Sequence, residues 1–284
     1  MIRITGANAL APGGLSGLRD DLLAARPRGE GPHLRADTPD RPKGVAGGAW
    51  RRMSRLSRMV AAAACPLLEG RDDLDDLAVV WASASGEVVP TARFLTRLFR
   101  EGPELASPLA FQNSVYNAPA GHLSITVGLR GLSETLAAGG ATGLFALLRG
   151  AQLIEQGRAR AALVIAGEDL NETLERAWTL NPPPAGTLLG ECVAAVLLER
   201  GGEGPTVEVV QGVQPLEGAP VLARATRLPL ERAPEPIPDA IAPERSIGLS
   251  ASMGLAAVVA LTEGGGSIVD QDEGMVLTAR IHAA

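Results

Sequence analysis

Residues 117–167 read NAPAGHLSITVGLRGLSETLAAGGATGLFALLRGAQLIEQGRARAALVIAG, and this stretch decides the fold. A helix is predicted over Val115–Gly128, opened by the polar group Gln112–Ser114. Gly131 marks a turn, Ala141–Gln156 is a strongly apolar helix, and it leads into Ala161–Ala166. That last run is uninterrupted and apolar, as expected of a strand buried on both faces. Upstream, Leu77–Ala82 has the same character and ends in small residues. Before it, Met53, Leu56, Met59, Val60 and Ala63 recur at helical spacing across Met53–Leu68. Between them and residue 115, Thr91–Arg100 is predicted as a helix with Phe94, Leu95, Leu98 and Phe99 inward and Arg93, Arg97 and Arg100 outward. Downstream come the apolar run Thr187–Glu199, the alternating strand Thr206–Val213, and a proline-rich, mostly irregular 214–245. The small-residue helix Ser250–Leu261 and the closing strand Met275–His282 follow. At the start, Met1–Gly6 predicts a strand and residues 11–48 a surface excursion with a helix near Leu15–Ala25. No short internal repeat is evident. Strands separated by helices indicate an α/β sheet covered on both faces.

Bulk composition agrees. The 284 residues are 46% hydrophobic but only 3% aromatic, with 34 glycines, which suits helices packed closely on a sheet. A net charge of −6 argues against a nucleic-acid partner. The two cysteines, Cys65 and Cys192, form no CxxC and no Cys/His cluster, so neither a disulfide framework, a metal site nor a cofactor is expected. The opening MIRITGANAL lacks an apolar targeting core and no run is long enough to span a membrane, so the expectation is a cytoplasmic protein.

Four stretches, in order, resemble β-ketoacyl synthases. ITGANALAPGG (4–14) is similar to the first strand and glycine turn, and RRMSRLSRMVAAAA (51–64) to the helix that begins Arg-X-X-Asp-Arg. NAPAGHLSITVGLRGLS (117–133) resembles the pattern that ends Gly-Leu-Arg-Gly-Pro-Ser. GRARAALVIAGEDL (157–170) with GTLLGECVAAVLLER (186–200) resembles the strand ending Gly-Gly-Ala-Glu and the strand closing the N-terminal half. The phrase NSVYNAPAGHLSI points within the family to short, chain-length-factor-like proteins of aryl polyene-type clusters. The resemblance implies a thiolase-like layered fold. Residues 1–203 would form the synthase N-terminal-like domain, and 204–284 a shortened C-terminal portion packed on the same core.

The resemblance also shows what is missing. In the family the nucleophilic Cys stands at the N-terminus of a buried helix, where the helix end stabilises a thiolate and its amides help hold an oxyanion. Aligned through GLSETLAAGGATG, that position is Gly140, preceded by Gly139. The enolate-stabilising histidines are absent too. Among His33, His122 and His282 none stands in a His-Gly-Thr-type motif, and RSIGLSASMGLAA places Ala251 where the other histidine would be. Decarboxylative condensation by this chain alone is therefore not expected.

Three readings follow. The first is a catalytically incomplete partner subunit that pairs, as a homo- or heterodimer, with an active synthase. It would serve fatty acid or polyketide biosynthesis, aryl polyene pathways included. Gly139, Gly140, Phe111, Asn113, Tyr116, Asn117 and His122 are then the candidates for shaping an acyl pocket or the interface. The second is an acyl-thioester hydrolase or acyltransferase using Ser252, which with Asp270 and His282 follows the hydrolase order but lacks the first glycine of a nucleophile elbow. The third is a scaffold that binds acyl carrier protein through Arg51, Arg52, Arg55 and Arg58, whose bland alternative is a solvated helix face. Packing alone would account for Cys65, Cys192 and His122.

Overall fold

In the computed structural model all residues are described except 16–17, 25–32, 181, 183–186, 226–236, 243–251 and 273–274. Eleven strands and nine helices are assigned among the described residues: β1 (Ile2–Leu10), α1 (Leu18–Ala24), β2 (His33–Leu34), α2 (Gly47–Arg52), α3 (Arg55–Leu68), β3 (Leu77–Ala82), α4 (Val88–Glu101), α5 (Pro108–Gln112), α6 (Ala118–Val127), β4 (Ser133–Leu136), α7 (Thr142–Glu155), β5 (Ala161–Glu168), α8 (Glu172–Leu180), β6 (Leu189–Gly190), β7 (Cys192–Arg200), β8 (Thr206–Gln211), β9 (Val221–Ala225), α9 (Met253–Leu261), β10 (Gly266–Asp272) and β11 (Met275–His282). None of these helices is long and apolar enough to cross a membrane.

Nine strands form one mixed sheet in the order β4-β3-β5-β7-β1-β8-β11-β10-β9. Its two halves repeat each other. In the first, β4, β3 and β5 run parallel and β7 runs antiparallel to both β5 and β1. In the second, β9 and β10 run parallel and β11 runs antiparallel to both β10 and β8. A single parallel bridge from Ile241 to Leu222 stands where β4 stands in the first half. The halves join through β1 and β8, antiparallel, with Ile2 opposite Val207. The repeat lies in the topology and not in the sequence, since a strand needs only a pattern of alternating burial.

That alternation builds the layers. Leu77, Val79, Trp81, Leu163, Ile165, Val193, Ala195 and Leu197 face one way, onto α3 and α6. Ala78, Val80, Ala82, Ala162, Val164, Ala166, Ala194, Val196 and Leu198 face the other way. There they meet α7 and α9, which also contact Leu222, Ile268, Leu277, Ala279 and Ile281 of the second half. The two helices are thus a central layer between the halves. A Cβ at Gly150 of α7 would collide with Val164, so this glycine sets how close helix and sheet lie. The outer face of the second half is crossed by the segment after β8, where the Gln214 and Leu216 amides donate to Thr278 Oγ1 (3.1 Å) and Ser267 Oγ (2.8 Å).

Several expectations change. The first strand runs on to Leu10 because β7 pairs with it along its whole length. Residues 221–225, expected to be irregular, form β9, and β10 was not foreseen at all. The helix expected near 15–25 is observed as Leu18–Ala24, and residues 250–251 of the expected 250–261 helix lie outside the described residues. The face of α4 expected to be buried is largely bare. Phe99 is 81% exposed and Leu95 40%, and among the described residues only Phe94 finds a ring partner, Phe111, at 5.5 Å between centroids.

Candidate functional site

Gly139–Ala141 form a 3-10 turn that opens α7, and Gly139 adopts φ 58°, a conformation few side chains tolerate. Thr142 Oγ1 braces the turn, accepting from the Ala138 amide (2.9 Å) and donating to the Gly139 carbonyl (2.6 Å). Gly140 is buried, and both of its backbone groups are taken. Its N–H donates to Asp272 Oδ2 at 2.6 Å, and its carbonyl accepts from Arg224 Nη2. Arg224 in turn grips Asp270 through Nε to Oδ1 (3.0 Å) and Nη2 to Oδ2 (2.6 Å), with both side chains fully buried. Burial raises the Asp270 carboxyl above its usual range, against the opposing pull of Arg224. Gly254 in the first turn of α9 makes room for the pair, since a Cβ there would stand 2.6 Å from Asp270 Oδ2. A helix N-terminus that could have held a nucleophile is instead closed by side chains from β9 and β10.

The start of α9 is closed in a matching way from the first half. The Ser252 N–H donates to Glu168 Oε2 (2.9 Å), at the end of β5. Glu168 Oε1 also accepts from the Ala84 amide (2.8 Å) and Ser83 Oγ (3.2 Å). Ser252 is fully buried and its hydroxyl donates to the Cys192 carbonyl at 3.1 Å. This corrects the Ser252–Asp270–His282 alternative. Asp270 is committed to Arg224, and its cross-strand partner Leu277 lies five residues from His282, or roughly 17 Å along β11. Cys192 and Cys65 are both buried, and burial pushes both thiols up, Cys65 to about 11.

The other candidates gather on the outer side of the first half. His122 Nε2 lies 2.7 Å from Asn113 Oδ1, and Asn113 Nδ2 donates to the Arg52 carbonyl at 3.0 Å. Burial, with Arg52 nearby, lowers the His122 pKa, so a neutral imidazole orients the Asn113 amide. Tyr116 lies across Gly86 and donates from its hydroxyl to the Ala84 carbonyl at 3.2 Å. Phe111 and Asn117 are exposed; Asn117 precedes α6 without capping it through its side chain. Gly139 and Gly140 belong to the central layer, apart from this surface.

The arginine face divides. Arg55 binds Glu191, a fully buried carboxylate, through Nη2 and through Nε (3.2 Å), and also the Ala36 carbonyl. Arg58 donates to the Trp50 carbonyl (3.0 Å) and stacks over that indole. Both therefore serve the fold, and only Arg51 and Arg52 stand exposed. Arg52 edges a groove of about 810 Å³ with Arg35, Arg93, Asn113 and Asp169.

Sequence reasoning missed a set of buried carboxylates near that groove. Glu87 accepts from Ser54 Oγ (2.5 Å) and Ser57 Oγ (2.8 Å), and burial pushes it up to about 7. Asp169 is raised too, again chiefly by burial. The signal was present: Glu87, Glu168 and Glu191 each interrupt a run of small or apolar residues, where a charge needs a partner. No group of three or more His, Cys, Asp or Glu among the described residues could hold a metal ion.

Residues 42–212 match the model of the β-ketoacyl synthase N-terminal domain. No curated protein matches the chain in sequence. Among solved structures, the ishigamide ketosynthase/chain length factor is similar at 19% identity and TM-score 0.71, over 99% of each chain. A ketosynthase in complex with its chain length factor from Xenorhabdus doucetiae gives 20% and 0.66, over 98% of each chain. A type II PKS acyl-carrier protein in complex with its ketosynthase gives 15% and 0.69, over 100% of this chain and 99% of that one. These likenesses bear out the layered thiolase-like fold, and the chain spans almost the whole of these three chains.

Proposed function

Because the chain belongs to the β-ketoacyl synthase family, we propose that it is a non-condensing, chain-length-factor-like subunit that pairs with a cysteine-bearing synthase. The observation that carries this reading is Gly140: the helix start that bears the family's nucleophile carries no side chain here, and its backbone is engaged internally. Full-length similarity to chains of ketosynthase/chain-length-factor assemblies supports it.

The surface supports a partner as well. Among the described residues β4 pairs only with β3, so its outer edge offers backbone donors and acceptors to another chain. At the other end of the sheet, β9 is bridged by Ile241. Phe111, Tyr116 and Ile125 are exposed on α5, α6 and the turn between them. In the proposed complex the β4 edge carries the pairing and Phe111, Tyr116 and Asn117 meet the partner. Asn113, held by His122, shapes the wall facing the partner's acyl chain, and the Gly139–Gly140 turn lies in the central layer, apart from it. Residues 1–203 then supply the pairing half, and 204–284 close the core behind Gly140. Arg51 and Arg52 are the positions for docking an acidic carrier protein. The setting is cytoplasmic fatty acid or polyketide assembly, aryl polyene pathways included.

The test is co-purification with the synthases and carrier proteins encoded beside the gene, followed by mass determination. A one-to-one complex with a cysteine-bearing synthase is expected. A chain that remains a monomer or homo-oligomer in their presence overturns the proposal. Charge reversal at Arg51 and Arg52 should weaken carrier binding and leave the synthase complex intact, which separates this reading from a carrier-binding scaffold.

A further inference from the structure

The buried carboxylates around the start of α8 are served unequally. Glu191 accepts from the Ala36 and Leu170 amides (2.9 and 3.0 Å) and from Arg55. Glu168 accepts from two amides and a serine hydroxyl. Asp169, only 7% exposed, has its own backbone N–H and Asn171 Nδ2, the latter at a long 3.3 Å. An ionised carboxylate has room for more donors than that, and a buried one left short of them costs free energy. Asp169 lines the groove of about 810 Å³, so a donor can reach it from outside. We propose that this groove binds a small amino acid-type molecule, its ammonium seated on Asp169 and its carboxylate held by Arg52 and Arg93. The proposal goes beyond the partner reading and holds whether or not the chain binds a synthase.

The groove supplies both ends. Arg52 ends α2 and Arg93 lies on α4; both are exposed, and among the described residues neither guanidinium is in a hydrogen bond or ion pair. The other two arginines of the lining are committed. Arg35 binds Glu175 and the Leu170 carbonyl, and Arg55 binds Glu191 and the Ala36 carbonyl. Glu172, the remaining charged group of the lining, is exposed at the start of α8. Val89, Pro90 and Leu109 give the groove an apolar wall, and its volume falls within the roughly 300–1,000 Å³ of small-molecule sites.

Asp169 is also held in place. Asn171 reaches it through Nδ2 while its Oδ1 accepts from the Thr173 and Leu174 amides (3.1 Å each), which ties the carboxylate to the first turn of α8. An ammonium suits it better than a neutral donor. Charge-assisted hydrogen bonds are the stronger kind, and Glu191 adds negative potential at Asp169, opposed by an Arg55 already bound. A simple anion would meet the charge of Asp169, and a simple cation would meet two guanidinium groups. A molecule with both ends, separated by a short apolar chain, matches both.

The test titrates the isotope-labelled full chain with γ-aminobutanoate, ε-aminohexanoate and ω-aminooctanoate, and with the one-ended hexanoate and hexylammonium, following the Asn113, Asp169 and Thr173 amides by NMR. We expect at least one two-ended compound to bind about tenfold or more tightly than either one-ended compound. Asp169→Asn should abolish that advantage and leave hexanoate binding unchanged. Arg93→Gln, an exposed position where folding is not at stake, should weaken the two-ended compound and hexanoate alike and spare hexylammonium. If Asp169→Asn does not fold, the native series and Arg93→Gln decide. Equal binding of one-ended and two-ended compounds, no shift at these amides with any of them, or a two-ended preference that survives Asp169→Asn overturns the proposal.

Discussion

The two central helices begin in the same topological place and end up with different chemistry. At α9 one carboxylate, Glu168, accepts from neutral donors among the described residues: two backbone amides and a serine hydroxyl. At α7 the corresponding carboxylate, Asp272, works beside a buried ion pair, Arg224–Asp270, that holds the other backbone group of Gly140. Neutral amides cost less to desolvate than charges do, whereas a buried ion pair has to offset the desolvation of two charges. The difference teaches where the fold has moved its charge. The start of α7 has a fixed cation and two carboxylates packed against Gly140.

This contrast can be broken most severely at Arg224. Arg224→Ala leaves Asp270 buried without its counter-charge, and a loss of about 3–5 kcal/mol in urea unfolding is expected. Asp270→Leu with Arg224→Met should recover most of it, because two apolar side chains carry no such charge. A loss under about 1 kcal/mol for Arg224→Ala would mean that the pair is not buried as described. Next in size is a carboxylate held by neither amides nor a cation. Glu87 has two serine hydroxyls and sits near 7 against an ordinary 4.5. The folded chain keeps its proton where the unfolded chain has released it. Its contribution to stability is therefore greatest below about pH 4.5, declines as pH rises toward 7, and is flat above. The decline is about 3 kcal/mol. Glu87→Gln should remove that part of the pH profile in a denaturant series and stand above the native chain at pH 8.

Much of this was legible in the sequence, for reasons that differ by element. Leu77–Ala82 and Ala161–Ala166 announced themselves as buried strands because every residue in them is apolar, and all of them are buried. β9 did not, because Val221–Ala225 contains an arginine and follows Pro220, and Arg224 is held there by Asp270, 46 positions away, and by the Gly140 carbonyl. The apolar spacing of α4 predicted a buried face, but burial also needs an opposing element, and Phe99 meets none among the described residues. At the site, the resemblance points to Gly140. Nothing local to GLSETLAAGGATG indicated that Asp272 and Arg224 would close it, since those contacts exist only once the two halves fold together. Likewise four arginines at close spacing read as one face, yet Glu191 and Trp50 draw Arg55 and Arg58 inward.

The smaller predictions sharpen the neutral side of the comparison. Glu168→Gln must turn an amide NH2 toward either the Ala84 or the Ser252 N–H, so a donor faces a donor and a loss of about 2 kcal/mol is expected. Thermal denaturation of the variant checks it, and a neutral result would mean that the carboxylate charge is not what those amides require.

Ser252→Ala tests the least. Its hydroxyl makes a neutral hydrogen bond to the Cys192 carbonyl, so about 1 kcal/mol is expected. The same residue was the one candidate nucleophile outside the synthase pattern. It is fully buried, its amide is bound to Glu168, and the histidine it would need stands on the far part of β11. A serine-reactive fluorophosphonate should therefore leave the native chain unlabelled at every pH at which it is folded. Labelling that disappears in Ser252→Ala would show the α9 start opening to solvent, and the two helix starts would then differ in access as well as in charge.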